Sequence, residues 1–295
     1  MNARFKSWIK KNTPPPVWGF GRSIYYGAKN LTYRKRVVRH DYSGTHLQVW
    51  IADAGAAAWY DFDWGPSPEI DRLKARRLRL GARVFDVGAH QCVAAMVMAD
   101  AVGSSGQVIA VEGSARNADI GERNRKLNGY DNLKVLHAAA AENSGRIAFS
   151  TGGHVSHGKT DYDGRVWVNA VSIDDLTARY GLPDILYIDV DGYEAHVLRG
   201  ARKTLAQGPD CLIEVHPGVG LEDFGETVES VLSFFPQEHF ELSLRDLDHE
   251  ADFSPLQPSD PRLLTRFHLL AMHKKDTAYV VRTEKLGKTQ PTKTL

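Results

Sequence analysis

Short apolar runs alternate with helical stretches through the middle of this chain. Val84-Phe85-Asp86-Val87, Val108 to Glu112, Leu133 to Ala138, Asp184 to Asp189 and Cys211 to Val215 each read as a strand buried on both faces. Between them, Cys92 to Ala101, Ser114 to Asn128 and Tyr193 to Gln207 read as helices. Upstream, Ser67-Pro68-Glu69 has the form of a helix start, a capping hydroxyl followed by Pro at the first helical position. That helix is expected to carry Ile70, Leu73 and Leu80 on one face and to end near Gly81. His46 to Ile51 predicts a strand, and Trp59 to Trp64 a compact aromatic loop whose two tryptophans are expected in the core, the alternative being sugar-stacking platforms. The stretch after Ala138 reads as irregular. The tail predicts a helix over Leu221 to Phe234 and strands at Phe240–Leu244, Phe267–Met272 and Tyr279–Arg282. Strands that alternate with helices in this way predict an α/β domain, a mostly parallel sheet with helices on both faces. It is expected over residues 67–290, after an N-terminal extension at 1–66 that contains one strand.

Composition narrows the class. The 295 residues are 42% hydrophobic and 25% charged, which excludes collagen-like and wholly disordered chains. Two cysteines, Cys92 and Cys211, are too few and too far apart for a zinc ribbon or disulfide framework, so they read as small buried hydrophobes in a reducing compartment. No apolar run nears the ~20 residues of a membrane span, and Met1 to Lys11 lacks the apolar stretch of a secretory signal. A cytoplasmic protein is expected.

The near-even charge total, 37 basic against 36 acidic residues, hides an asymmetry. Residues 1–40 hold ten Lys or Arg and no acid, interleaved with aromatics such as Trp8, Trp18, Tyr25 and Tyr26. The simpler reading is a solvated arm whose aromatics pack on the main domain. The other is an arm meeting an anionic surface, which would place the protein at the periphery of a membrane. A nucleic-acid partner is not expected.

The chemistry gathers at the carboxyl ends of the strands, where an open α/β sheet binds its ligand. Asp86, Glu112 and Asp189 stand at three such ends. The loop Asp86-Val87-Gly88-Ala89-His90-Gln91-Cys92 is short and small enough for a ligand to approach the backbone, and Gly113 follows Glu112 directly. Glu112 stands where an acid accepts hydrogen bonds from a ribose. A dinucleotide site would show Gly-x-Gly-x-x-Gly facing a pyrophosphate. Here one Gly follows an acid, which repels pyrophosphate and suits the ammonium and sulfonium groups of S-adenosylmethionine.

These residues, with Val171-Ser172-Ile173-Asp174-Asp175-Leu176, Ile188-Asp189-Val190-Asp191-Gly192-Tyr193-Glu194 and Ile213-Glu214-Val215-His216, resemble the FkbM family of S-adenosylmethionine-dependent methyltransferases. The likeness spans about residues 69–216. It implies a Rossmann-like class I methyltransferase fold with a seven-stranded sheet, and O-methylation of a sugar, glycolipid or secondary-metabolite hydroxyl. It also implies that Asp86, Gly88 and Glu112 hold the donor while Ala140 to Asn143, Glu142 among them, border the adenine. Four positions depart from the family's usual pattern: Cys92 for a last Gly, Gly113 for a Pro, Asp191 for a Glu and Tyr187 for a Lys.

In methyl transfer to a hydroxyl, proximity does most of the work and a base removes the proton. Asp189 is the first candidate base, with Asp191, Glu194 and His216 beside it. The same carboxylates could instead hold Mg²⁺. Glu69 is either a helix cap or a further contact to the donor. His154, His157, Asp161 and Asp163 read as part of a loop over the site rather than as metal ligands. Two competing readings are an NAD-binding oxidoreductase and a non-catalytic module that docks through its basic arm.

Overall fold

The structure is a computed structural model, and it describes residues 33–150, 155, 164–247 and 252–274. Most of the basic arm (residues 1–32), the strand at Tyr279–Arg282 and the four loop residues His154, His157, Asp161 and Asp163 lie outside the described residues. The chain divides into two compact units, residues 1–65 and 66–295.

In the first unit, β1 (Arg36–Tyr42) and β2 (Thr45–Ile51) pair antiparallel around Ser43 and Gly44, both at positive φ. A helix follows, α1 (Ala54–Tyr60), capped by the Asp53 carboxylate, which accepts from the Ala56 N–H. The expected aromatic loop is therefore half helix. Tyr60 closes the last turn of α1, and Trp64 bridges back to Tyr42, edge to face at 5.1 Å. Trp59, expected in the core, is 56% exposed, while its helix neighbours Ala56 and Tyr60 are the buried ones.

The second unit opens with α2 (Pro68–Lys74), capped by Ser67. The helix ends about two turns earlier than its spacing predicts. Arg76 and Arg77 leave it to reach Asp210, and the Arg77 guanidinium donates to the Gly208 carbonyl at 2.7 Å. Leu80 consequently falls outside the apolar face and is exposed, whereas Ile70 and Leu73 are buried.

Alternation then runs as predicted: β3 (Arg83–Val87), α3 (Val93–Val102), β4 (Gln107–Glu112), α4 (Ala115–Asn128) and β5 (Leu133–His137). The segment read as irregular instead forms a small second sheet. In it β6 (Ala139–Ala140), β7 (Gly145–Ser150) and β8 (Arg165–Val171) lie in the order β6-β8-β7. It is followed by α5 (Ile173–Tyr180), capped by Ser172. Next come β9 (Ile185–Asp189), α6 (Glu194–Arg199), α7 (Arg202–Leu205) and β10 (Asp210–Val215). One predicted helix is thus two. A Cβ at Gly200 would lie 2.3 Å from the Ala141 carbonyl, and the Gly200 carbonyl is taken by the Asp174 N–H, so the chain bends there. The helix expected over 221–234 also divides, into a 3-10 turn at Leu221–Phe224 and α8 (Val228–Leu232), which starts on a Thr227–Ser230 capping box. Strands β11 (Phe240–Asp246), β12 (Ser254–Pro255) and β13 (Phe267–His273) follow, the last of the strands among the described residues.

The main sheet has eight strands in the order β12-β11-β13-β10-β9-β3-β4-β5, the eighth being the two-residue edge strand β12. β10, β9, β3, β4 and β5 run parallel, and β13 enters antiparallel between β10 and β11. The order reverses between β3 and β9, which is the switch point where such a sheet opens a crevice. On one face Phe85, Val87, Ile109, Val111, Leu186, Ile188, Ile213 and Val215 are buried together with residues of α5 to α8. On the other, α3 packs on β3 and β4. No described helix is long and apolar enough to cross a membrane.

Candidate active site

The switch point is held shut at its base by one close contact. Gly88, at φ +87°, sits so near the end of β9 that a Cβ would lie 1.7 Å from the Asp189 carbonyl oxygen. A residue with a side chain is excluded there on space and on conformation alike. The Gly88 and Ala89 N–H groups both donate to the Val111 carbonyl, which joins the β3 loop to β4. The loop then turns through His90 at φ +47° and Cys92 at φ +63°. A left-handed residue at the start of α3 explains why glycine is common at this position. The Cys92 side chain is fully buried against α4, where Gly121 leaves it room: a Cβ at Gly121 would lie 2.5 Å from the sulfur.

Two buried carboxyls flank this loop. Glu112 accepts from the His90 N–H at 2.8 Å on one oxygen and from the Ser114 N–H at 2.7 Å on the other. Burial outweighs those bonds and pushes it up to about 7. Asp86 is 2% exposed, and burial, then the charge of Glu112, raises it to about 7 as well. Its Oδ2 is buried with no hydrogen-bond partner among the described residues. Such an orphan acceptor costs about 1–3 kcal/mol in the free protein. The Gly113 departure also has a spatial cause, since a Cβ there would meet the Phe149 ring at 2.4 Å. Ala140 is buried on β6, and Glu142 stands exposed beyond it.

Across the switch point a second cluster gathers on His216, which is 4% exposed. Its Nδ1 lies 2.7 Å from the Glu194 carboxylate, and its Nε2 lies 3.3, 3.7 and 3.8 Å from Glu214, Asp191 and Asp189. Glu194 is wholly buried and also accepts from the Gly192 N–H at 2.8 Å. Asp191 (φ +47°) and Gly192 (φ +97°) form the left-handed turn that brings these groups together, and Gly192 packs directly on the Gly220 backbone. Burial opposes a charge on His216, but Glu194 and Glu214 more than offset it and hold the imidazole at about 10. Asp189 keeps 43% of its side chain open, the most accessible member after Asp191. Desolvation, then the charges of Glu214 and Asp191, push it well above the ordinary carboxylate range, with His216 and His268 pulling the other way.

Sequence reasoning brought Asp189, Asp191, Glu194 and His216 to one place, and the structure has them in contact. It assigned no role to Glu214 or His268. Both follow from strand pairing: Asp189, Glu214, His268 and Arg245 are successive partners across β9, β10, β13 and β11. Glu69 lies over the far half of this row. Its carboxylate is taken by Arg245, by His268 at 2.8 Å and by Ser67, so the structure gives it partners on β11 and β13 and none in the β3 loop. Tyr187, where a Lys is usual, is set among the charges of Glu69, Asp86, Asp189 and Glu214, and burial followed by these charges raises its hydroxyl well above normal.

Asp189, Glu214 and His216 each offer a ligand atom within 4.8 Å of the others, the one such group among the described residues. Glu214 is already met by three protein cations, His216 and His268 at 3.3 Å and Arg266 at 3.2 Å. Mg²⁺ prefers an octahedral oxygen shell that keeps several waters, and this set does not fit it. The β3 side fits a cationic nucleoside better. It presents a buried acceptor with no donor, a second carboxylate beside it, and a loop at the switch point.

The FkbM methyltransferase domain matches residues 86–242. No curated protein matches the chain. Among solved structures, the chain is similar to an FkbM methyltransferase from Methylobacillus flagellatus at 18% identity and TM-score 0.43, covering 64% of this chain and 43% of that one. The chain thus spans less than half of that protein's length. An S-adenosylmethionine-dependent O-methyltransferase from Thermotoga maritima aligns at 14% identity and TM-score 0.42, over 80% of this chain and 76% of that one. Fibrillarin from Aeropyrum pernix, solved with S-adenosylmethionine bound, aligns at 15% identity and TM-score 0.41, over 83% and 87%. The family match takes in more than half of the residues, the β3 loop and the ends of β4, β9 and β10 among them, and on it this chain, with its Rossmann-like sheet, belongs to the FkbM-domain methyltransferases.

Proposed function

We propose that the protein transfers a methyl group from S-adenosylmethionine to a hydroxyl of a sugar, glycolipid or secondary-metabolite acceptor. The observation that carries this reading is the pairing of two sites across one switch point: buried Asp86 and Glu112 on one side, the Asp189–His216 cluster on the other. When bound, S-adenosylmethionine supplies a methyl group already activated by its sulfonium charge. Asp86 gives the cation an ionised partner that no protein donor occupies. Glu112, fixed by the His90 and Ser114 N–H groups, has lone pairs left for ribose hydroxyls. Gly88, Ala89, His90 and Gly113 bring the backbone close, and Ala140 with Glu142 borders the base.

On the acceptor side, the hydroxyl proton passes to Asp189. Of the four candidates it is both open to the cleft and raised in proton affinity, which makes it a stronger base than an ordinary carboxylate. His216, held as a cation at neutral pH, does not take that proton, and instead sits as a fixed positive charge beneath the developing alkoxide. Asp191 is left to orient the acceptor, and Glu194 holds the imidazole. The methyl–sulfur bond breaks as the methyl–oxygen bond forms, and the proton ends on Asp189.

The test is a cell extract incubated with the enzyme and isotopically labelled donor, followed by mass spectrometry. One labelled hydroxyl-bearing product is expected, and Asp189→Asn is expected to lower its formation at least a hundredfold while S-adenosylhomocysteine still binds. Label on nitrogen or carbon, or full turnover in Asp189→Asn, overturns the reading. Binding of NAD in place of S-adenosylhomocysteine would support the oxidoreductase instead.

A further inference from the structure

A line of alternating charges crosses the sheet from its edge to the cleft. Arg245 on β11 pairs with Glu69 of α2, and Glu69 with His268 on β13 at 2.8 Å. His268 pairs with Glu214 on β10 at 3.3 Å, Glu214 with His216 at 3.3 Å, and His216 stands 3.8 Å from Asp189. Every residue between the two ends is largely buried, with side-chain exposures of 11% for Glu69, 9% for His268, 15% for Glu214 and 5% for His216. Burying that many charges is costly unless each is matched, and here each carboxylate has a cation on either side. Apolar residues of similar volume would stabilise the fold at least as well. The line also begins where no ligand is expected, under α2, and ends at the most open carboxylate of the acceptor cluster.

We propose that Glu69 and His268, which stand away from the cleft, are positioning residues whose charges set the state of Asp189 through Glu214 and His216. The proposal rests on the reading of that cluster as the acceptor site. Glu69 keeps His268 cationic, because a carboxylate 2.8 Å from an imidazole favours the protonated ring. The His268 cation in turn does two things. It occupies one oxygen of Glu214, while the other faces His216 at 3.3 Å and Arg266 at 3.2 Å. It also offsets the negative field at Asp189, where the facing groups are Glu214 and His216 from the end of β10, Asp191 from the turn after β9, Tyr187 from β9 itself and His268 from β13. With the cation removed, Asp189 holds its proton to higher pH and is a base over a narrower range.

The experiment follows the side-chain carboxyl carbon of Asp189 by NMR in protein labelled at aspartate, with the signal assigned by its loss in Asp189→Asn. It needs no acceptor. His268→Gln is expected to raise the Asp189 titration midpoint by half a pH unit or more, and Glu69→Gln to do the same. His268→Lys, which restores the charge, is expected to keep the wild-type midpoint. The acid limb of labelled methyl transfer should move with the midpoint, while the affinity for S-adenosylhomocysteine stays within twofold. An unmoved midpoint in folded His268→Gln, or an equal shift in His268→Lys, overturns the proposal, since a purely structural role does not distinguish a lost charge from a restored one. If His268→Gln fails to fold, the Glu69→Gln midpoint decides alone: a rise supports the proposal and no rise overturns it. Absence of methyl transfer at every pH in the wild type sinks the proposed reaction and leaves the titration to decide the positioning role.

Discussion

Asp86 is a carboxyl whose buried environment costs the free fold stability. It is buried, one oxygen has no donor among the described residues, and its proton affinity is raised to about 7, as is that of Glu112. A carboxyl whose folded value exceeds its unfolded one contributes stability that is complete below about pH 4 and is lost as pH rises through 7. The free protein is therefore expected to melt at a higher temperature at pH 6 than at pH 8. Asp86→Asn should raise the melting temperature at pH 8 and flatten that trend. The same change should weaken S-adenosylmethionine at least tenfold in calorimetric titration, a trade between stability and function. Since the donor is a cation, its affinity should strengthen from pH 6 to pH 8 by about three- to tenfold as the two carboxyls ionise. S-adenosylhomocysteine, which lacks the sulfonium charge, should gain less. Equal gains for both ligands would mean that neither carboxyl faces the sulfonium group.

The packing of α3 on α4 shows how an exchange of residues is absorbed between elements. Cys92 brings a side chain to a left-handed position, and Gly121 on α4 gives it space. Gly121→Ala gains about 1 kcal/mol of helix propensity. It also drives a methyl into the Cys92 sulfur, an overpacking that costs about 1–3 kcal/mol. The net expectation is a loss of up to about 2 kcal/mol in denaturant unfolding, recovered in the Cys92→Gly, Gly121→Ala double variant. A double-mutant cycle measures the coupling directly, and additive effects would show that the two residues do not share the space. Helix lengths obey the same logic. The early end of α2 and the break between α6 and α7 arise where Asp210 and the Ala141 carbonyl, distant in sequence, claim the chain.

Charge is divided between the ends of the protein. Ten basic residues and no acids occupy 1–40, and the rest carries 27 basic against 36 acidic residues. Every residue assigned above to donor or acceptor lies in the unit at 66–295. A chain beginning at Pro66 is accordingly expected to bind S-adenosylhomocysteine as the full chain does. On the second reading of the basic arm, in which it meets an anionic surface, the full chain alone co-sediments with vesicles of anionic lipid and is released at about 1 M salt, where the screening length is about 3 Å. No co-sedimentation, or co-sedimentation that persists at that salt or in the shortened chain, would rule that reading out.

Strand ends, helix starts and the acids at the switch point were legible from spacing alone, because burial on both faces, a capping Ser and an acid after a strand are matters of near neighbours in the chain. Asp86, Glu112, Asp189 and His216 were found in this way. The small sheet of β6, β7 and β8 was not, since its pairing joins segments whose alternation is weak and whose middle strand is made by partners on either side. Nor was the row from Asp189 through Glu214 and His268 to Arg245. It exists because β13 enters the sheet antiparallel in one register, and a slip of a single residue would turn His268 to the opposite face. Glu69 shows the same division. Its place at the head of a helix is written locally, while its partners are chosen by the strands that the helix happens to cover.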